Sequence, residues 1–318
     1  MGIANWDDVS ADPVAKGHIA CTWRHLGDAA GTQRVGVNRI QVEPGKWSGP
    51  VHAELDAEEI FFVLAGSGIS FHNGAAYEVR EGDCIVHRAA DTHGLRAGNN
   101  GIDVLAFGER MDARYTHFPR VHVIGNYPGV TLDVTAGPRA WDREIALGEP
   151  ELPELSPGAE HIVNAHTMDA DYEGDAGRWV RMASKAGATR TGLNWGRLAP
   201  GRAGAPPHCH SAEEEIFVVL EGSGTLELWP SPQAARAGGA SEREEHPLRA
   251  GDVVSRPSGT RIAHYFRAGD EGMTSLAYGE RNHNDICYYP RSNKIFWRGV
   301  GVIARLENLD YDDGEPED

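Results

Sequence analysis

The most informative stretch of the chain is PHCHSAEEEIFVVLEG at residues 207–222. It places His208 and His210 two residues apart and then, after a short polar run, an apolar segment that begins at Glu215. Side chains at positions i and i+2 of an extended strand point to the same face, so we expect the two imidazoles side by side. Glu215 opens the next predicted strand, from which its carboxylate can lean back toward the histidines.

A third imidazole completes this set. His264 follows a Gly-Asp pair at 251–252 and a Pro-x-Gly turn at 257–259. Three neutral imidazoles and one carboxylate make a divalent-metal site that leaves one or two positions open for water or substrate. The identity of the ion is left open between Fe, Mn, Ni and Zn. The alternative to a metal site is a set of ordinary histidines on a solvated strand face. The predicted ligands are His208, His210, Glu215 and His264.

The chain repeats itself at an offset of 156 residues. Residues 34–68 and 190–224 share 16 identical residues in 35 positions. A Gly-Ser-Gly at 66–68 recurs at 222–224, and a Gly-Glu-Arg at 108–110 recurs at 279–281. A period of this length is longer than that of a solenoid repeat, so it indicates a duplicated domain.

The first copy carries an altered ligand set. Glu54 stands where the second copy has His210, and the Pro-x-Gly turn is absent. A site with two carboxylates is harder and favours Mn or Fe over Zn. The alternative is a decayed copy in which Glu54 pairs with an arginine such as Arg88 or Arg96. The candidate ligands here are His52, Glu54, Glu59 and His93.

Short apolar segments that end in Gly, Pro, Asn or Asp predict an all-β fold of many short strands closed into barrels. We predict an N-terminal barrel at 1–125, a proline-rich linker at 126–172 with a short helix at 140–147, and a C-terminal barrel at 173–309. The stretch 230–247 is predicted to be a long hairpin loop. The last segment, 310–318, is strongly acidic and predicted to be disordered.

The composition narrows the classes of partner. With 47 acidic and 30 basic side chains in 318 residues the formal net charge is −17, which argues against binding to nucleic acid or an anionic membrane. Apolar runs are too short to span a bilayer. The four cysteines form no Cys-x-x-Cys pair, and the first residues are neither basic nor apolar, so we expect a cytoplasmic protein with reduced thiols.

Both motifs, in this order, resemble those of the cupin superfamily. The first matches as His208-x-His210, Glu215 and Gly222, and the second as 251–252, 257–259 and His264, with two extra residues before the histidine. Together with the repeat, the chain resembles a bicupin, with two barrels of the double-stranded β-helix (jelly-roll) type. The resemblance implies a bound divalent metal and a homodimer, but it leaves the reaction open because the cupin barrel hosts many functions.

Two functions remain open. The first is a metal-dependent enzyme, an oxygenase, isomerase or decarboxylase, that acts on a small polar metabolite such as a sugar or organic acid derivative. The second is a metal-containing protein that binds or senses a small molecule without turnover. A general acid or base near the metal would favour the enzyme, and His87 is a weak candidate for that catalytic role.

For the other polar residues near the motifs, a structural role is the expected one. Cys209 is expected to pack on the opposite strand face. The run at 213–214 and Glu58 are expected in solvated turns, with support of a ligand histidine as the alternative. Three arginines could bind a substrate carboxylate or phosphate, although a surface ion pair is the common role: Arg197, Arg256 and Arg261.

Overall fold

The structure is a computed structural model that describes residues 2–111, 114–127, 130–132, 139–239, 241–310 and 312–314. As predicted, it consists mainly of β-strands. The strands of the first half are β1 (Ile3–Asn5), β2 (Asp12–Lys16), β3 (Ile19–Arg24), β4 (Val35–Val42), β5 (Ala53–Glu54), β6 (Glu59–His72), β7 (Ala75–Arg80), β8 (Asp83–His87), β9 (His93–Glu109), β10 (Arg114–Phe118), β11 (Val123–Tyr127) and β12 (Val130–Leu132).

The second half repeats this set. Its strands are β13 (Ile162–Asn164), β14 (Tyr172–Gly174), β15 (Gly177–Val180), β16 (Thr191–Leu198), β17 (Cys209–His210), β18 (Glu215–Pro230), β19 (Glu244–Arg249), β20 (Asp252–Arg256), β21 (Ile262–Glu280), β22 (Ile286–Tyr289), β23 (Lys294–Trp297) and β24 (Val302–Arg305). The helices are short: α1 (Leu26–Ala29), α2 (Ala140–Ala146), α3 (Met182–Lys185), α4 (Pro232–Arg236) and a 3₁₀ turn (Pro119–Val121). Within the described ranges, none is long and apolar enough to cross a membrane.

Each barrel combines an eight-stranded and a four-stranded antiparallel sheet. The larger sheets run β13-β8-β6-β9-β4-β3-β2 and β1-β20-β18-β21-β16-β15-β14, with β7 paired to β6 and β19 paired to β18. The smaller sheets run β12-β11-β10-β5 and β17-β22-β23-β24. The two barrels therefore have the same strand order, and the all-β fold of two tandem barrels predicted from the sequence is confirmed.

Two short strands cross between the halves of the chain. β1 pairs with β20, and Ile3 lies opposite Val254. β13 pairs with β8, and Ile162 lies opposite Ile85. β1 thus occupies in the second barrel the place that β13 occupies in the first. The boundaries at 125 and 172 stay a prediction, to which the pairing adds that residues 3–5 join the second sheet.

Three large apolar cores are arranged around these sheets, and a smaller one lies around Phe118 and Val123. One lies inside the first barrel, around Trp47 and Phe61, and a second lies inside the second barrel, around Leu226. The third lies between the barrels, where the rings of Phe107 and Tyr278 are 5.0 Å apart. Because the shared core is fully buried, the two barrels are held face to face by apolar packing.

Three segments can be compared with their predictions. α2 lies where a helix is predicted at 140–147, one residue shorter. The predicted loop at 230–247 is partly wrong, since it contains α4 and the first residues of β19. Ser231 explains the helix, because its hydroxyl accepts a hydrogen bond from Ala234 N–H and caps the first turn. Of the acidic segment predicted to be disordered, residues 311 and 315–318 lie outside the described residues.

Candidate metal centre

Backbone bridges bring the outer histidines of each motif together. In the second barrel His208 N–H donates to His264 O at 3.3 Å, and His264 N–H donates to His208 O at 2.9 Å. Their rings lie 4.4 Å apart. In the first barrel His52 and His93 make the same pair of bonds, at 3.0 and 2.7 Å, and their rings lie 4.5 Å apart. The barrel ladder thus positions two histidines that are distant in sequence.

Glu215 lies among the second-barrel histidines. Its Oε2 is 3.2 Å from His264 Nε2 and 3.3 Å from His210 Nε2. His208, Glu215 and His264 each offer a ligand atom, and these atoms lie within 4.8 Å of one another. The structure therefore brings together the four residues selected by their spacing. His210 and His264 are 9% and 3% exposed, so a solvated strand face, the alternative, is wrong for them.

The orientation of the rings leaves ligand atoms free. His208 Nδ1–H donates to Pro206 O at 2.7 Å, and His210 Nδ1–H donates to Asp285 Oδ2 at 2.7 Å. The Nε2 atoms of His210 and His264 and Oε2 of Glu215 are buried without a hydrogen-bond partner. Buried polar atoms are normally satisfied, so this cluster fits a cation bound between them. The donor set of imidazoles and one carboxylate suits a divalent transition metal.

Electrostatics favours one proton shared within this cluster. Burial disfavours the charged form of His210, but the Glu215 carboxylate and Asp285 outweigh it and raise the pKa of His210 to about 10. Burial and the neighbouring His208 lower the pKa of His264 to about 3. Although burial opposes ionisation, contacts with His210 and His264 hold the pKa of Glu215 well below its usual range. A metal ion would replace the proton on His210.

Asp285 was missed by the sequence analysis. Its Oδ1 accepts a hydrogen bond from Ala212 N–H at 2.9 Å while Oδ2 holds His210. A carboxylate behind a ligating imidazole fixes its tautomer and raises its basicity. The signal for it is the offset of 171 residues that relates 108–110 to 279–281, since the same offset aligns Asp285 with Arg114 in the first copy.

Arg256 lies beside the four predicted ligands. It stands directly opposite Glu215 in the pairing of β20 with β18, so both side chains project from the same face. It is 4% exposed, which makes the surface ion pair expected for it wrong. Burial lowers the pKa of Arg256 to about 10, so it stays cationic at neutral pH. A narrow, closed pocket with no room for a water molecule is lined by Cys209, His210, Arg256, Pro257, Thr260, Ile262 and His264.

The first barrel gathers three of its four predicted residues tightly. His93 Nε2 is 2.9 Å from Glu59 Oε2, and His52, Glu59 and His93 offer ligand atoms within 4.8 Å of one another. Glu54 Oε1 is 3.6 Å from His52 Nε2. Burial lowers the pKa of His52 to about 4. For Glu59, burial opposes ionisation, but the hydrogen bond from His93 and the charge of Arg114 outweigh it and lower the pKa to about 2.

An arginine occupies the first site as well. Arg114 Nε lies 2.8 Å from Glu54 Oε2, and its Nη2 lies 3.5 Å from Glu59 Oε1. The predicted partners of Glu54 in a decayed copy, Arg88 and Arg96, are wrong, because Arg88 binds Gly187 O and Arg96 pairs with Glu149. The guanidinium already neutralises part of the negative charge that would attract a metal ion.

His87 belongs to a stack of histidines in the first barrel. Its ring lies 4.1 Å from that of His93 at 7°, and its Nδ1 lies 3.1 Å from Nδ1 of His72. His161 stacks on the other face of this group, 3.8 Å from His72. Burial and the neighbouring histidines lower the pKa of His87 well below its ordinary value. His87 thus adjoins the first site and not the four-ligand site, and its equivalent there is Arg256.

Two glutamates have a role that the sequence analysis did not anticipate. Glu58 and Glu214 are 0% and 1% exposed, so the solvated turns expected for them are wrong. Glu214 accepts backbone N–H groups of residues 33–35 across the interface. Glu58 accepts those of residues 189–191 in return. These carboxylates join the barrels and do not support a histidine.

Glu213 and two cysteines lie closer to the second site. Glu213 is 2% exposed and pairs with Arg298 at 2.6 Å, while its Oε2 is 3.9 Å from His210 Nδ1. A solvated turn is therefore wrong for Glu213 too, and burial raises its pKa to about 7. Cys209 is buried, and it is Cys287 whose Sγ lies within 4.8 Å of ligand atoms of His208 and His210.

Comparison with known proteins gives the family of these barrels. The cupin domain family matches residues 38–105 and 194–277, one stretch in each barrel. Among curated protein sequences, none matches the chain.

Solved structures add the arrangement of both barrels. Oxalate decarboxylase from Lactobacillus farciminis, in complex with formate, is similar with a TM-score of 0.61 and 16% identity over 90% of this chain and 88% of that one. Oxalate decarboxylase from Bacillus subtilis at pH 4.6 is similar with a TM-score of 0.62 and 15% identity over 90% of this chain and 78% of that one. Another structure of the Bacillus subtilis enzyme concerns its Mn(II) centres. At such identities the likeness shows a shared fold.

Proposed function

The chain is a bicupin, a member of the cupin superfamily with two barrels, and on this premise we propose that it is a metal-dependent enzyme. Its substrate is a small polar metabolite, an organic acid or a sugar derivative, and the reaction takes place at the second barrel. The carrying observation is the convergence of buried, unpartnered ligand atoms from His210, Glu215 and His264, with His208 beside them. A divalent ion there would polarise substrate oxygens and stabilise developing negative charge.

The chain's own residues prepare this site. Asp285 and Pro206 O hold the Nδ1–H groups of His210 and His208, so that both Nε2 atoms face the same centre. The rings of Phe217 and Phe266 lie 5.2 and 5.9 Å from that of His264 and place apolar surface beside it. Apolar surroundings strengthen each electrostatic interaction made inside the site.

The identity of the ion and the reaction belong to the same proposal. We favour manganese or iron, because the Bacillus subtilis neighbour has Mn(II) centres and the donor set suits both metals. Decarboxylation is the reaction named for the structural neighbours, and iron would instead permit dioxygenase chemistry. The site in the first barrel is a weaker second metal site, because Arg114 competes for its carboxylates.

A binding or sensor function is the second candidate. The described residues that line the pocket include no acid–base group other than the proposed ligands, Cys209 and Arg256. Burial raises the pKa of Cys209 to about 11, which makes it a poor base at neutral pH. His87, the weak candidate for catalysis, lies in the first barrel. This lack of a general base favours binding without turnover.

Turnover experiments separate the two functions. The protein is stripped with chelator, reloaded with Mn²⁺ or Fe²⁺, and incubated with short organic acids and sugar acids while ¹H and ¹³C NMR follows their consumption. We expect turnover by the wild type and by His93→Ala, and none by His264→Ala. Binding of these compounds without any consumption would instead support the sensor function.

The assembly and location complete the proposal. The edge strand β24 and the neighbouring β23 expose apolar side chains, with Trp297, Val302 and Ile303 at 44%, 45% and 61% exposure. An apolar strand edge of this kind favours pairing, so we propose a homodimer, which light scattering would detect at twice the mass of 34.5 kDa. A cytoplasmic location stays a prediction from the cysteine pattern.

A further inference from the structure

Arg256 is a buried cation with incomplete bonding. It is 4% exposed, its Nη2 donates to Ile262 O at 2.7 Å, and its Nε has no hydrogen-bond partner. No ion pair joins it to a carboxylate within the described ranges. A buried charge normally requires a partner of opposite sign, because its removal from water is costly.

Two other arginines with limited exposure have such partners. Arg114 pairs with Glu54 and Glu59, and Arg39 pairs with Asp103 at 2.7 Å. Arg256 is more buried than either, yet the carboxylate opposite it, Glu215, is turned toward His210 and His264. The guanidinium therefore lines the pocket beside the proposed metal with part of its hydrogen-bonding capacity unused.

We propose that Arg256 binds a carboxylate of the substrate, which makes the substrate class a small organic acid and not a neutral sugar. This inference rests on the proposed function, since it names the substrate of the same site. A guanidinium presents donors in a planar fork that matches a carboxylate. Thr260 lines the same pocket and adds a hydroxyl to it.

The comparison between the barrels supports this assignment. Glu59 faces His87 in the first barrel, whereas Glu215 faces Arg256 in the second. At this register the first barrel therefore has an imidazole where the second has a guanidinium, which is always charged. A net charge of −17 repels anions in general, and a buried cation beside the proposed metal favours the binding of an acid here. The second barrel alone has it at this register.

Binding measurements on metal-loaded protein test the inference. Glycolate, formate and malonate are titrated by calorimetry into Mn²⁺-loaded wild type and into Arg256→Met, with ethylene glycol as the neutral probe. The matched control is Arg261→Met, which removes an exposed charge from the same turn. Metal content and thermal melting are measured for every variant.

We expect at least one carboxylate to bind the wild type and the Arg261→Met control equally, and to bind Arg256→Met at least tenfold more weakly at unchanged metal content. Ethylene glycol binding should not change. Equal carboxylate affinity of Arg256→Met and wild type, or no carboxylate binding by wild type that holds metal, would overturn the inference.

Two further results are decisive. If Arg256→Met does not fold, Arg256→Lys replaces it, since lysine keeps the charge but loses the fork; weaker carboxylate binding supports the inference, and unchanged binding overturns it. If the wild type takes up no metal but binds glycolate in a manner that depends on Arg256, the carboxylate site stands and the proposed metal-dependent function fails.

Discussion

Arg114 holds Glu54 in an ion pair, with Nε 2.8 Å from Oε2, at the position where Asp285 holds His210 in the other barrel. The strand pairing makes the positions equivalent, since Glu54 lies opposite Thr116 and His210 lies opposite Cys287. The second barrel thus has a base backed by an acid, and the first has an acid backed by a base. This exchange of charge adds a cation to the first site.

Reversal of the exchange should strengthen metal binding in the first barrel. In a background with His208→Ala and His264→Ala, we expect Glu54→His/Arg114→Asp to bind Mn²⁺ at least tenfold more tightly than the background alone. The repulsive guanidinium is removed and a third imidazole is supplied. Competition with a chelator measures the affinity. Arg88→Asp changes the same charge outside the site and should have no such effect. Equal affinities in all three proteins would contradict the role assigned to Arg114.

Asp285 should determine how strongly the second barrel binds metal. Asp285→Asn keeps an oxygen near Ala212 N–H but loses the negative charge behind His210. We expect a 10–100-fold lower metal affinity, as is typical of the residues that orient metal ligands. Asp270→Asn, at an exposed position, serves as the control. An Asp285→Asn protein with wild-type affinity would mean that His210 needs no support.

The reciprocal carboxylates should be essential to the contact between barrels. Glu214→Ala removes the acceptor of three backbone N–H groups, of which that of Val35 is buried. We expect a loss of about 3 kcal/mol in the free energy of unfolding by urea. Glu58→Ala should have a similar effect because its contacts mirror those of Glu214. The exposed Glu271→Ala should cost less than about 0.5 kcal/mol. A Glu214→Ala protein as stable as this control would rule out the proposed contact.

Acidification should begin to destabilise the metal-free protein at pH values above those at which carboxylates titrate. Burial lowers the pKa of His52 and His161 to about 4 and that of His87 further. Between pH 6.5 and 4 the unfolded chain binds protons that the folded chain refuses, so stability is present above 6.5 and is lost as the pH falls. Each such histidine adds up to about 1.4 kcal/mol per pH unit.

Urea unfolding at pH 7.5, 6.5 and 5.5 measures this slope. In His161→Gln one titrating group is removed, so the decrease in stability with falling pH should be shallower than in the wild type. His246→Gln, which lies outside the histidine stack, serves as the control and should leave the slope unchanged. A slope that His161→Gln does not alter would show that the histidine stack is not the cause.

Local sequence pattern was sufficient to predict the barrels and the clustering of the candidate ligands nearest in sequence. Alternating and short apolar segments predict strands, and the spacing from His208 to Glu215 places a histidine pair and a carboxylate at facing strand ends. The repeat then supplies the tandem arrangement. All of these features depend on neighbours along the chain, which is why spacing alone could reveal them.

The remaining features depend on register between distant strands. Asp285 and Arg114 reach their partners because β22 and β10 pair with the short strands β17 and β5, which no local pattern specifies. Glu58 and Glu214 occur in polar runs typical of turns, but their partners are N–H groups of the other barrel. The pairing of β1 and β13 with strands from the other half of the chain likewise depends on tertiary contacts and not on local sequence.

Metal content of the protein, purified without chelator or metal affinity and measured by elemental analysis, tests the proposed second-barrel centre most directly. The wild type is compared with His208→Ala/His264→Ala and with His52→Ala/His93→Ala. We predict that about one equivalent of a divalent transition metal is lost in the first double variant and retained in the second. Absence of metal from the wild type, or its retention after both second-barrel histidines are removed, would contradict the proposed function.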